Sequence, residues 1–292
     1  MSSAAARAWS IAAALAAGAA PALAIDVDPL WDFSDPAASE QRMRAALATA
    51  SGDDALIVQT QIARTYGLRG DFARAQDILD AIAPQIAKAG AEARVRHALE
   101  SGRTLSSATH PPASQMPEVK ARAKVAYLQA YETARNAQLD ALAIDALHML
   151  AFVDTAPADQ LKWNRQALAL VEASTQPAAK RWEASLRNNT GYALHELGRY
   201  DEALVEFRRA LALRERGDDA QATRVAWWMI AWTLRAQACN DEALAIQLRL
   251  EREGDAAGAP DPYVFEELEI LYRERGDAAA AARYAARRAQ TR

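Results

Sequence analysis

Asn188-Asn189-Thr190-Gly191-Tyr192-Ala193-Leu194-His195-Glu196-Leu197-Gly198-Arg199-Tyr200-Asp201-Glu202-Ala203-Leu204-Val205-Glu206-Phe207 reads as one helix, a stop, and a second helix. Gly191 is the small residue that lets two antiparallel helices approach, and Leu194, three residues on, fills the seam between them. Gly198 accepts the left-handed turn at the helix end. A hairpin this small cannot bury its apolar face alone. Copies of it must stack side by side into a solenoid.

Copies are present. The small position recurs as Ala63, Gly191 and Ala231, and the large one as Tyr66, Leu194, Leu234 and Tyr272. The stop recurs as Gly70, Gly198, Ala238 and Gly276, and five residues later come Ala75, Ala203, Ala243 and Ala281. Asp71, Asp201, Asp241 and Asp277 stand at or just inside the second-helix starts, where a carboxylate satisfies free N–H groups and the helix dipole. Ala203 and Ala243 are 40 residues apart, Ala243 and Ala281 are 38 apart, and the 128 residues from Ala75 to Ala203 leave room for three such periods.

These residues resemble the tetratricopeptide repeat (TPR) family, most clearly over Ala184–Gly217, then Ala55–Ala89 and Val225–Gly254, and then from Tyr263 onward. The family's usual period is about 34 residues, so helices about a turn longer are implied. That is similar to the longer-repeat subclass typified by kinesin light chain, whose paired asparagine and leucine–arginine–glutamate run have counterparts in Asn188-Asn189 and Leu213-Arg214-Glu215. Glu92 to Ala173 matches only as helices, although Trp163-Asn164-Arg165-Gln166-Ala167-Leu168-Ala169-Leu170 reads like a TPR second helix.

The expected fold is all-α: a right-handed TPR-like α-solenoid of about six helical hairpins plus an N-terminal helix. The hairpins run Ala55–Ala89, Glu92–Ala137, Leu139–Ala173, Ala178–Gly217, Ala220–Gly254 and Asp261–Ala289. Asp35-Pro36 opens the N-terminal helix with a cap and an N1 proline, and Met43, Leu47 and Ala50 share one of its faces. Breaks fall at His110-Pro111-Pro112, Thr155-Ala156-Pro157 and Gly258-Ala259-Pro260-Asp261-Pro262, and Thr109 to Pro117 is the longest connection. No alternating run of β-branched residues is long enough for a strand. Residues 25–292 form one repeat domain.

Residues 1–24 differ. Arg7 precedes an uncharged stretch from Trp9 to Ala20, and Pro21 precedes Ala22-Leu23-Ala24, a small-x-small cleavage site. As a helix, Trp9 to Ala24 reaches only ~24 Å, short of a ~30 Å hydrocarbon core. A signal peptide cleaved after Ala24 is favoured over an anchor, which implies a periplasmic or secreted chain with no membrane span once mature. The whole chain carries −4, and loss of Arg7 makes that −5. That charge and a pI near 5.7 argue against a nucleic-acid or anionic-membrane binder. The single cysteine, Cys239, cannot form an internal disulfide, and its neighbours suggest a packed thiol.

In TPR arrays the first helices line the concave surface. The resemblance therefore implies a peptide-binding groove of Asn188, Asn189, Tyr192, Trp228, Trp232, Arg235 and Arg64, with His195 and Thr60 on the same face. Side chains of the asparagine pair would bind a peptide backbone. Trp228 and Trp232 either line this groove or fill the seam between helices, while Trp227 is expected against the next unit. Asn188, Trp228 and Thr60 stand where a carboxylate clamp would need lysine.

No catalytic or metal site is expected, and no cofactor. His195-Glu196 begins like a zinc-protease helix motif, but the second histidine position is Arg199. Asp145 and His148, three apart, read as a helix-surface pair, and His97 and His110 lack ligand-spaced partners. There is no Gly-x-Ser-x-Gly elbow and no phosphate-binding glycine loop. The leading expectation is an exported scaffold or adaptor that holds a protein or peptide. A self-associating structural protein and an all-α enzyme acting on envelope polymers are the alternatives.

Overall fold

The computed structural model describes residues 25–291, so the expected export segment, 1–24, lies outside the described residues. Among these residues every regular element is a helix: α1 (Pro36–Leu47), α2 (Gly52–Leu68), α3 (Phe72–Ile86), α4 (Ala91–Leu105), α5 (Pro117–Asn136), α6 (Asp140–Val153), α7 (Pro157–Ala173), the single turn α8 (Pro177–Lys180), α9 (Glu183–Glu196), α10 (Tyr200–Arg214), α11 (Ala220–Ala236), α12 (Asn240–Ala256), α13 (Pro262–Glu274) and α14 (Ala278–Gln290). Each long helix packs on the next in the chain, with α9 following α7 directly. The first helices also touch one another, α2 to α4, α4 to α6, α9 to α11 and α11 to α13, which sets them on the inner face. Over the described residues the result is an all-α solenoid of six hairpins, with α1 closing its N-terminal end against α2.

The local chemistry explains the turns. At Gly198 the backbone has φ +71°, the left-handed region that side chains disfavour, and the sign repeats at Gly70 and Gly276. Ala238 adopts the same turn at φ +59° despite its Cβ. Asp71 and Asp277 cap α3 and α14 by accepting from Arg74 N and Ala280 N, and Asp35 caps α1 by accepting from Ala38 N. Gly191 sits where a Cβ would stand 2.7 Å from the Phe207 ring, so α9 and α10 approach as closely as a glycine allows.

The middle hairpins keep the same packing with different punctuation. The left-handed turn there is at Gln138 (φ +56°), between α5 and α6, rather than inside a hairpin. The connection from α4 to α5 is instead the long segment 106–116. It is pinned, because His110 stacks on Phe72 at 3.7 Å and its ring nitrogens bond to Ser107 and the Thr104 carbonyl. Tyr127 donates to the Ser106 carbonyl at 2.6 Å and packs against Gly102.

Trp227 lies under the Arg249 guanidinium of α12, 4.0 Å over its ring, and packs against the core cluster. Two expectations need correction. Cys239 is exposed rather than packed, because it lies at the turn before α12. Asp145 and His148 are not a surface pair, because α6 is an inner helix covered on several sides.

Candidate functional site

The inner helices carry three cavities that share walls. The first, about 220 Å³, is lined by Arg64, Glu100, Arg103, Asp145, His148 and Trp182. The second, about 620 Å³, shares Arg64, Asp145 and Trp182 with it and adds Phe33 and Arg181. The third, about 230 Å³, shares His148 and Phe152 with the first and adds Asn188, Asn189, Tyr192 and Met229. Together they form a groove along α2, α4, α6 and α9.

The first cavity is built on a buried charge network. Arg103 donates to Glu100 Oε1 at 2.6 Å and to Asp145 Oδ1 at 2.5 Å, joining α4 to α6. The three side chains are 12 %, 3 % and 9 % exposed. Burial opposes ionisation of Asp145, but the charges of Arg103 and Arg64 outweigh it and hold its pKa below the ordinary value. Arg64 has no such close partner: its nearest carboxylate is Glu100 at 3.9 Å, and burial together with the like charge of Arg103 lowers its pKa. Arg64 Nε and Glu100 Oε2 are both buried without a hydrogen-bond partner. Burial also lowers the pKa of His148, leaving its imidazole neutral at pH 7.

Residues 25–33 form a wall of this end. Val27 is buried against Leu56, Ile57 and Ile82. Trp31 donates to Gln61 at 3.3 Å and stacks on Phe33, and the Arg64 guanidinium sits 5.4 Å and 5.5 Å from the two rings. Asp28 then pairs with Arg181 at 2.5 Å.

The C-terminal half of the inner face is aromatic. Tyr192 stacks with Trp232 at 5.6 Å, Trp232 with Trp228 at 5.7 Å, and Trp228 meets Tyr263 edge-on at 6.3 Å. This row runs from α9 across α11 to α13. Tyr192 is 41 % and Tyr263 64 % exposed, while the two tryptophans are half-buried. Trp228 packs against the core cluster and Trp232 against the buried His195 ring, and both also stand in the row. Met229 lies at the same level and also lines the third cavity.

Two side chains expected on this face are not available there. His195 is buried because Trp232 stacks on it at 3.3 Å and its Nδ1 bonds to Thr233. Burial first, and then the charge of Arg235, push its pKa down to about 4. Thr60 is fully buried, its hydroxyl donating to the Ile57 carbonyl at 2.6 Å. Arg235 is half-buried, and its Nε and Nη2 donate to both oxygens of Glu267 at 2.7 and 2.8 Å, which ties α11 to α13. Asn189 meets His148 at 3.3 Å and lies beside Asn188 in the third cavity.

Glu100, Arg103, Phe152, Trp182 and Tyr263 were not singled out from the sequence. The Glu100–Arg103 spacing of three on a helix is a weak signal, since most such pairs are solvated. Among the described residues no group of three His, Cys, Asp or Glu could hold a metal ion, and no helix is long and apolar enough to cross a membrane.

The fold has solved counterparts. A Signal Transduction ATPase with Numerous Domains (STAND) protein with a tetratricopeptide repeat sensor, from Pyrococcus horikoshii, superposes with a TM-score of 0.66 at 12 % identity, over 88 % of this chain and 39 % of that one. The chain therefore spans about two fifths of that protein. BtubC (BKLC) from P. vanneervenii superposes with a TM-score of 0.59 at 14 % identity, over 79 % of this chain and 92 % of that one. No family model and no curated protein matches the sequence. At these identities the likeness establishes a TPR-like helical repeat fold and nothing finer.

Proposed function

We propose that the chain is an exported scaffold that holds a segment of a protein or peptide in its concave groove, with repeats of the longer TPR subclass. The observation that carries this reading is the row Tyr192–Trp232–Trp228–Tyr263 beside Asn188 and Asn189. Stacked aromatics present large, rigid, partly wet surface at small entropy cost, and side-chain amides offer both donors and acceptors to a peptide backbone. The likeness to the STAND and BtubC folds, at low identity, supports only the helical-repeat fold.

Binding is favoured over catalysis by the state of the carboxylates. Glu100 and Asp145 share a cavity, but both are engaged by Arg103, and Asp145 is held ionised rather than poised to donate a proton. A general acid working near neutral pH needs the opposite shift.

The test compares wild type with a Tyr192→Ser/Tyr263→Ser variant, both tagged and expressed with the export segment, for partners recovered from the envelope. Both positions are exposed, so helicity by circular dichroism should be unchanged. Loss of a discrete partner at least tenfold in the variant is expected. Equal recovery of every partner by both proteins would refute the site, and recovery of the chain itself alone would favour self-association.

A further inference from the structure

We propose that the mature chain begins at Ile25 and that its new α-ammonium locks onto the Asp54 carboxylate, fastening residues 25–33 over the inner helices as a wall of the groove. This rests on the export reading above. The geometry is specific: the Ile25 nitrogen lies 2.9 Å from Asp54 Oδ1, 29 residues away in the first turn of α2. Hydrolysis of the Ala24–Ile25 bond by a signal peptidase consumes one water. The hydroxyl ends on the Ala24 carboxylate, and the Ile25 nitrogen leaves as an amine that takes up a proton. A neutral amide with one N–H becomes a cation with three, at a distance suited to an N⁺–H···O⁻ bond. In the uncleaved chain the same nitrogen donates to Asp54 only as a neutral amide.

An acidic residue in a helix first turn has an ordinary explanation in the helix dipole. Here the neighbouring Asp53 already has a separate task, accepting from Gly90 N at 2.8 Å, while Asp54 is aimed at Ile25. The residues after Ile25 are anchored one by one. Val27 is 2 % exposed, Asp28 reaches Arg181 across 153 positions of sequence, and Trp31 bonds to Gln61. The lock at the first residue and the Arg64 stack on Trp31 and Phe33 hold the two ends of one strap. That strap supplies Ile25, Asp28 and Phe33 to the lining of the 620 Å³ cavity. Processing therefore adds a charge to the anchor of a wall whose strap is already in place.

Two measurements decide it. Intact mass and N-terminal sequencing of the exported protein should place the first residue at Ile25. Hydrogen exchange is then read over the amides of Val27–Trp31 in chains that start at Ile25 or carry a Gly-Ser extension before it, each with the native Asp54 or with Asp54→Asn. The extension should speed exchange about fivefold in the native background and less than about twofold in the Asp54→Asn background, the scale of one charge-assisted bond. A mature terminus elsewhere, or an extension effect equal in both backgrounds, overturns the proposal. Either result leaves the envelope partner test at Tyr192 and Tyr263 untouched, so the two readings fail separately.

Discussion

Replacing Arg103 by Met removes the cation that two buried carboxylates share. Glu100 and Asp145 are 3 % and 9 % exposed, and Arg103 is bonded to both. Breaking a buried ion pair by deleting one partner costs about 3–5 kcal/mol, because the other charge stays behind unpaired. At roughly 2–4 °C per kcal/mol this is a fall in Tm of about 6–20 °C at pH 7.5. The sign with pH is diagnostic. In the wild type Asp145 has a depressed pKa, so its contribution is present above the unfolded value near 3.9 and is lost only as pH falls through the folded one. In Arg103→Met, Asp145 loses the cation that holds its pKa down, and protonating it relieves the site, so the gap to wild type should narrow at pH 5. Adding Glu100→Gln and Asp145→Asn removes the stranded charges and should recover much of the loss. Thermal melts followed at 222 nm over pH 4.5–8 make the comparison. A fall under about 2 °C with no narrowing at pH 5 would refute the buried network as drawn.

Other consequences rest on single residues. Ala238→Gly relieves a left-handed turn and should stabilise by about 0.5–1 kcal/mol, read as a higher midpoint in urea. Gly191→Ala places a methyl 2.7 Å from Phe207 and should cost about 1–3 kcal/mol in the same titration. His195 has a folded pKa of about 4, so the stability it carries is intact above pH 6.5 and drains away as pH falls towards 4. His195→Gln should flatten that part of the stability–pH curve. The Glu40 pKa is held at about 2: burial raises it, but Tyr66, Arg44 and Arg69 bond to the carboxylate and prevail. Its contribution is lost between pH 4.5 and 2, and Glu40→Gln should make the protein less sensitive to acid over that window.

The solenoid was readable because each hairpin repeats the same steric solution: a small residue at the crossing, a left-handed stop, and an acid at the next helix start. Where the solution changes, reading fails. The stop at Gln138 joins α5 to α6 and not two helices of one hairpin, and neither flanking residue is a glycine. The groove was half legible. Tyr192, Trp228 and Trp232 come from helical register within α9 and α11, which local spacing fixes. His195 and Thr60 share that register but are covered, His195 by the Trp232 ring of the next inner helix. The charged cavity was missed because Arg64, Glu100 and Asp145 come from three helices, and only the packing of α2 on α4 and of α4 on α6 brings them together. The strap at 25–33 has no periodic signal, and its anchors are single contacts to distant residues.

The most direct measurement replaces Tyr192 on the inner face, and separately Val205 on α10, with a photo-crosslinking amino acid and irradiates the living envelope. Both positions are open to solvent, at 41 % and 47 %. A groove that holds a protein segment predicts one discrete adduct from position 192 and none from position 205. Identical patterns from both positions would contradict it.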